Sequence, residues 1–124
     1  MLGNEAQIAT TTQLLNPASA ANTAAATSGW VDARQADGDI MFINHCGALT
    51  GSIVWTIEHA TDGSGTGAAA ITPNEGAYAA VTANSVQKRT VNGNAIGGWV
   101  RCVGTITTGP ALVAASISFR PHSS

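Results

Sequence analysis

Trp99-Val100-Arg101-Cys102-Val103-Gly104-Thr105-Ile106, the turn Thr107-Thr108-Gly109-Pro110 and the run from Ala111 to Phe119 decide the fold of this chain. Both runs alternate with period two, which sends successive side chains to opposite faces of a strand. Val100, Cys102 and Ile106 share one face of the first, against Trp99, Arg101 and Thr105 on the other. Val113, Ala115, Ile117 and Phe119 share one face of the second, against Leu112, Ala114, Ser116 and Ser118. Two apolar faces joined by a Gly-Pro turn predict a hairpin with a core side and a wetter side.

Working outward from it, other strands appear. Ser52 to His59 sets Ile53, Trp55 and Ile57 against Val54, Thr56 and Glu58, the clearest amphipathic pattern in the chain. Ile40-Met41-Phe42-Ile43 is a continuous apolar run, short enough for a strand buried on both sides. Trp30-Val31 starts the folded domain; Ala68 to Ile71, Tyr78 to Val81 and Val86 to Val91 read as shorter strands, and Asn92-Gly93 is a tight-turn signal. Short strands with turns every 8–12 residues predict an all-β fold. The expectation is one small antiparallel β-sandwich, jelly-roll-like, of about seven or eight strands, with an extended N-terminal arm. The arm is residues 1–28 and the sandwich residues 29–122.

The arm holds one charged residue, Glu5, and is rich in Ala and Thr. A short helix over Glu5 to Leu15, anchored by Ile8, Leu14 and Leu15 and stopped by Pro17, is expected there. So little apolar area cannot hold it in isolation, so it is either a loose tail or an arm that orders against a neighbour. Deleting residues 1–28 should then leave the domain folded.

At 124 residues the chain has room for one core. Aromatic residues are only 5%, so that core rests on a few Ile, Val, Trp and Phe. Charged residues are 10%, against the roughly 25% usual for globular proteins. Such a surface is either a Thr- and Asn-rich β exterior or extensive contact surface, because charges are depleted at interface cores. The net charge is −2 and the five basic residues are scattered, so no patch concentrates phosphate attraction and nucleic-acid binding is excluded as a main role. No run approaches the ~20 apolar residues of a membrane-spanning helix. Met1-Leu2-Gly3-Asn4-Glu5 lacks a basic leader, so synthesis and use in a cytoplasm are expected. Cys46 and Cys102 are then expected as reduced, buried small hydrophobes; a disulfide would require them to face each other across the core.

Catalytic patterns are missing. The loop Thr61-Asp62-Gly63-Ser64-Gly65-Thr66-Gly67 has no following lysine or amphipathic helix, so it reads as a hairpin loop and not a phosphate cradle. One carboxylate is too few for calcium. His45 with Cys46, and Glu58 with His59, are strand neighbours pointing to opposite faces and cannot act as pairs. His45, His59 and His122 lack ligand spacing. The expectation is a non-enzyme with no cofactor and no metal. Trp99 and Arg101 are of the types most enriched at interface hot spots. They serve either a partner or the rim of the fold, where Arg101 would stack on Trp99 or pair with Glu58. The candidate partner contacts are Leu14, Leu15, Trp30, Trp99 and Arg101.

From Trp30 to Pro121 the order of features resembles the small β-sandwich proteins that decorate, or cement, the capsids of tailed bacteriophages. The matching features are Gly-Trp-Val-Asp at 29–32, an apolar strand and Gly-Ala-Leu-Thr-Gly at 47–51. A strand, Asp62-Gly63 and Asn84-Ser85-Val86-Gln87 follow, then Trp99-Val100-Arg101 before a final Ala/Val-rich strand. The resemblance spans about three quarters of the chain and leaves out residues 1–28. It implies a virion protein, made in the bacterial cytoplasm, that binds the capsid exterior where major capsid subunits meet, often as a trimer. A carbohydrate-binding sandwich of a tail or fibre, with Trp30 and Trp99 as platforms, is the alternative, as is a head–tail connector or tail component.

Overall fold

Alternating apolar residues can be buried on one face only if a second layer covers them, and the chain supplies that layer itself. The computed structural model describes residues 10–121. They form eight strands: β1 Thr10–Ala20, β2 Val31–Asp32, β3 Asp39–Leu49, β4 Ser52–Ala60, β5 Ala69–Ile71, β6 Ser85–Asn92, β7 Trp99–Thr107 and β8 Ala111–Phe119. They make two four-stranded antiparallel sheets, β1-β8-β3-β6 (sheet A) and β2-β7-β4-β5 (sheet B). First pairs with last, second with seventh, third with sixth and fourth with fifth. A chain doubled back on itself and rolled into two sheets in this way is the jelly roll. The expected all-β sandwich is what forms.

The core lies between the sheets. Ile40, Phe42, Val113, Ile117 and Phe119 face it from sheet A, and Ile53, Trp55, Ile57, Val100 and Cys102 from sheet B. The alternation read in β4, β7 and β8 assigns these faces correctly. Burying each large side chain is worth about 1.5–3 kcal/mol, so a handful suffices in a chain with few aromatics. Asn44 is also buried, and accepts a hydrogen bond from the Tyr78 hydroxyl at 2.5 Å. Both cysteines are buried and unpaired, and burial pushes the Cys102 thiol up to about 11.

Four local expectations are corrected. β7 and β8 are not a hairpin: they lie in opposite sheets, and the turn between them, with Thr108 at φ 61° and a cis Gly109–Pro110 bond, carries the chain across the sandwich. Their apolar faces therefore meet through the core instead of lying side by side. The run Ile40 to Ile43 is not buried on both sides. Ile40 and Phe42 are fully buried, while Met41 and Ile43 are half-buried on the outer face, because no described segment covers sheet A outside. Tyr78 to Val81 does not form a strand. Tyr78 plugs the core and Val81 makes an isolated bridge to Ile53, with N–H···O distances of 3.0 and 2.9 Å.

The fourth concerns the N-terminal segment. Thr10–Ala20 is an eleven-residue strand, not helix, and pairs along the whole of β8. Consecutive β-branched threonines favour extended backbone, and β8 offers an open edge with slots for Leu14 and Ala20. Pro17 stops no helix; it sits where the register slips between Leu15 and Ala18. Downstream, Ala26 is fully buried, and Ser28 brackets Cys102 by donating N–H to its carbonyl and accepting its N–H on Oγ, both at 3.0 Å. Residues 10–28 thus belong to the sandwich. The part of the expected helix before Thr10, including Glu5 and Ile8, and His122 lie outside the described residues.

Candidate functional site

Strand alternation places Trp99 and Arg101 together on the outer face of sheet B, opposite Ala60 and Glu58 of β4. Arg101 donates from Nε to Glu58 Oε1 at 2.8 Å, and its Nη2 lies 2.7 Å from the same oxygen. Its guanidinium sits 4.5 Å from the centroid of Trp30, which extends the row from the start of β2. A second arginine repeats the device. Arg34 grips Asp32 through two bonds of 2.9 and 2.7 Å and stacks 5.4 Å from the Trp99 centroid. The Arg34 contact holds the Asp32 carboxyl below its ordinary value.

The glycine-dense loop completes this cluster. Asp62 Oδ1 accepts N–H bonds from Ser64 at 2.9 Å and Thr66 at 3.2 Å, which pin the loop; the Thr66 side chain first, then these N–H groups, hold the carboxyl below its ordinary value. Gly63 then lies against the six-membered ring of Trp99, where a Cβ would come within 3.0 Å of Cζ3. Gly65, at φ +87°, lies against Trp30, where a Cβ would come within 2.9 Å of Nε1. Any larger residue would lift the loop off both indoles. The glycines serve this close cover.

Three of the five predicted contacts, Trp30, Trp99 and Arg101, are therefore brought together, but as a cluster whose charges and ring surfaces are satisfied within the chain. The arginine stacks on Trp30, not Trp99, while its pairing with Glu58 is as one of the readings had it. Leu14 and Leu15 lie elsewhere, on β1: Leu14 is buried in the core and Leu15 half-buried beside it. His45 is exposed on the outer face of β3 and Cys46 points inward, so the two are apart as expected for strand neighbours.

The outer face of sheet A is the opposite case. Its registers run Thr11–Ser118–Met41–Thr90, then Gln13–Ser116–Ile43–Lys88, then Ala114–His45–Val86. Lys88 is the single formally charged side chain in these rows. Val86 is 57% and Leu112 48% exposed, and no described segment covers them. Between the bulged end of β1 and this sheet, Pro17, His45, Leu112 and Ala114 line a shallow hollow of about 360 Å³. The sequence reading passed over this face because its residues are small or singly apolar. The one signal was Leu112, a large aliphatic on the wetter side of its strand.

Among the described residues no three His, Cys, Asp or Glu side chains gather closely enough to hold a metal ion, and no helix is long and apolar enough to cross a membrane. No protein-family profile and no curated protein matches this chain.

Proposed function

We propose that this chain is a structural protein of a phage virion that docks on the outside of the mature capsid, where major capsid subunits meet, and cements the shell. The observation that carries the reading is the contrast between the two faces. Sheet B spends its arginines and tryptophans on internal contacts, whereas sheet A offers an uncovered, nearly uncharged face with Val86, Leu112 and Pro17 exposed. Depletion of charge is what the core of a protein contact looks like. The jelly roll is compatible with this role, though the fold hosts lectins and enzymes as well.

A face of this size gives weak single contacts, and repetition over a lattice converts weak contacts into firm attachment. Preference for the expanded lattice would stabilise that state by mass action, as a ligand stabilises the form it binds. A glycan-binding role is less well supported, because the rings of Trp30 and Trp99 carry arginine and loop contacts and are no open platforms.

The test is co-sedimentation of the purified protein with expanded and unexpanded capsids of its own phage. The expected result is saturable binding to expanded shells with a rise in shell melting temperature. Leu112→Lys and Val86→Lys should abolish binding while the protein stays folded. Binding to neither shell form, or saturable glycan binding in its place, refutes the proposal.

A further inference from the structure

Two open sheets leave four strand edges, and a free edge is a row of unpaired N–H and C=O groups. Two of the four are short: β2 has two residues and β5 three. The free edge of β6 is taken at Thr90 and carries Lys88 and Arg89, charges of the kind that guard an edge. Thr90 N–H donates to Glu75 Oε1 at 2.8 Å, Asn74 N–H donates to the Thr90 carbonyl at 2.8 Å, and the Gln87 side-chain amide reaches the Ala79 carbonyl at 3.2 Å.

β1 is different. It is eleven residues long, outermost in sheet A, paired only with β8, and has no charged side chain. Geometry protects its second half, where the register slips on both sides of Leu15 and Pro17 has no N–H to offer. Nothing comparable protects the first half. Thr10–Gln13 runs in unbroken register against Phe119–Ser116, and no described segment hydrogen-bonds to its other side.

We propose that this half of β1 is a homotypic seam: the stretch around Thr12 of one copy pairs antiparallel with the same stretch of a second copy about a twofold axis, with Thr11 opposite Gln13. The two sheets A then become one continuous sheet. The complement of a strand edge is another strand edge, and among the described residues the only long one without a charged side chain is β1 itself. Twofold pairing sets a strand against its own residues. A charged strand would meet its own charge, whereas threonines and a glutamine opposite one another pair favourably. The lysines that usually guard an edge are missing here. The seam also sets two low-charge outer faces side by side, doubling the footprint.

The inference does not rest on shell binding, because association is read on the purified full-length chain with no capsid present. Sedimentation equilibrium over a wide concentration range should show a monomer–dimer equilibrium. Thr11 and Gln13 are exposed, so the variant Thr11→Lys/Gln13→Lys should keep its melting temperature yet dimerise about tenfold more weakly, from two like-charge contacts across the seam. Mixing it with Thr11→Glu/Gln13→Glu should restore dimers, as mixed pairs. Val54→Lys, on the outer face of sheet B, should leave association unchanged. A monomer at every concentration overturns the proposal. So does a dimer or trimer that the lysine pair leaves intact, or a failure of the lysine and glutamate variants to pair with each other.

Discussion

Arg101→Met tests whether the tryptophan–arginine cluster holds the fold or serves a partner. The substitution keeps an apolar stem and removes the guanidinium, which leaves Glu58 unpaired and the Trp30 ring uncovered. The side chains of Arg101 and Glu58 are 28% and 25% exposed, so solvent screens the pair only in part. An ion pair in such a setting is worth about 0.5–1 kcal/mol, and a partly desolvated cation–π contact about the same again. The loss should be about 1–2 kcal/mol, or roughly 4–10 °C in melting temperature for a domain of this size. Urea denaturation of the wild type, Arg101→Met, Glu58→Gln and the double variant measures it, with a coupling of about 0.5–1 kcal/mol between the two positions. Shell attachment of the folded Arg101→Met protein should be unchanged. Strict additivity, with Arg101→Met as stable as the wild type, would refute the internal role. Loss of attachment at unchanged stability would return Arg101 to the contact surface.

Three further outcomes are expected. Deleting residues 1–28 should unfold the domain, seen as lost near-ultraviolet dichroism and a lost thermal transition, because it strips β8 of its partner along β1 and empties the sites of Leu14, Ala20 and Ala26; a cooperatively folding truncation would show that these residues are an appendage after all. Gly104→Ala should cost about 1–3 kcal/mol by overpacking, since its Cβ would fall 2.7 Å from Ile53 Cδ1 and 3.1 Å from both Ala26 and Trp55, and a shift of the denaturation midpoint reports it. The Asp62 carboxyl, depressed below its ordinary 3.8 by the Thr66 side chain and then the loop N–H groups, stabilises the loop above that pH and ceases to as pH falls through its lower folded value. Tryptophan fluorescence, reporting the loop cover on Trp30 and Trp99, should therefore titrate below pH 3.8, and Asp62→Asn, which retains an acceptor oxygen, should remove that titration.

The deletion prediction reverses the one made from sequence, and the reversal marks where local reading fails. Thr10-Thr11-Thr12-Gln13-Leu14-Leu15 has too little apolar area to fold alone, which is correct as far as it goes. What it lacks in isolation it receives from β8, about a hundred residues later, and no feature of the segment announces that partner. The same holds at the site. That Trp99 and Arg101 share an outer face was legible from alternation, but that Trp30 lies under Arg101 and Gly65 over Trp30 depends on β2 docking beside β7 and on the course of one loop.

By itself, the sequence determined the class of fold, the positions of most strands and which side of β4, β7 and β8 faces inward. Those properties follow from a period of two residues, and each strand carries that information within its own few residues. Tertiary structure alone decided which strands are neighbours. It sent β7 and β8 to opposite sheets, made β1 the outer strand of sheet A, turned the arginines of sheet B inward on their own tryptophans and left the face bearing Leu112 and Val86 open. The physical reason is that an apolar face can be buried equally well beside its sequence neighbour or across the core from it. The choice is made by the summed pairing and packing of all eight strands, a quantity that no single stretch contains.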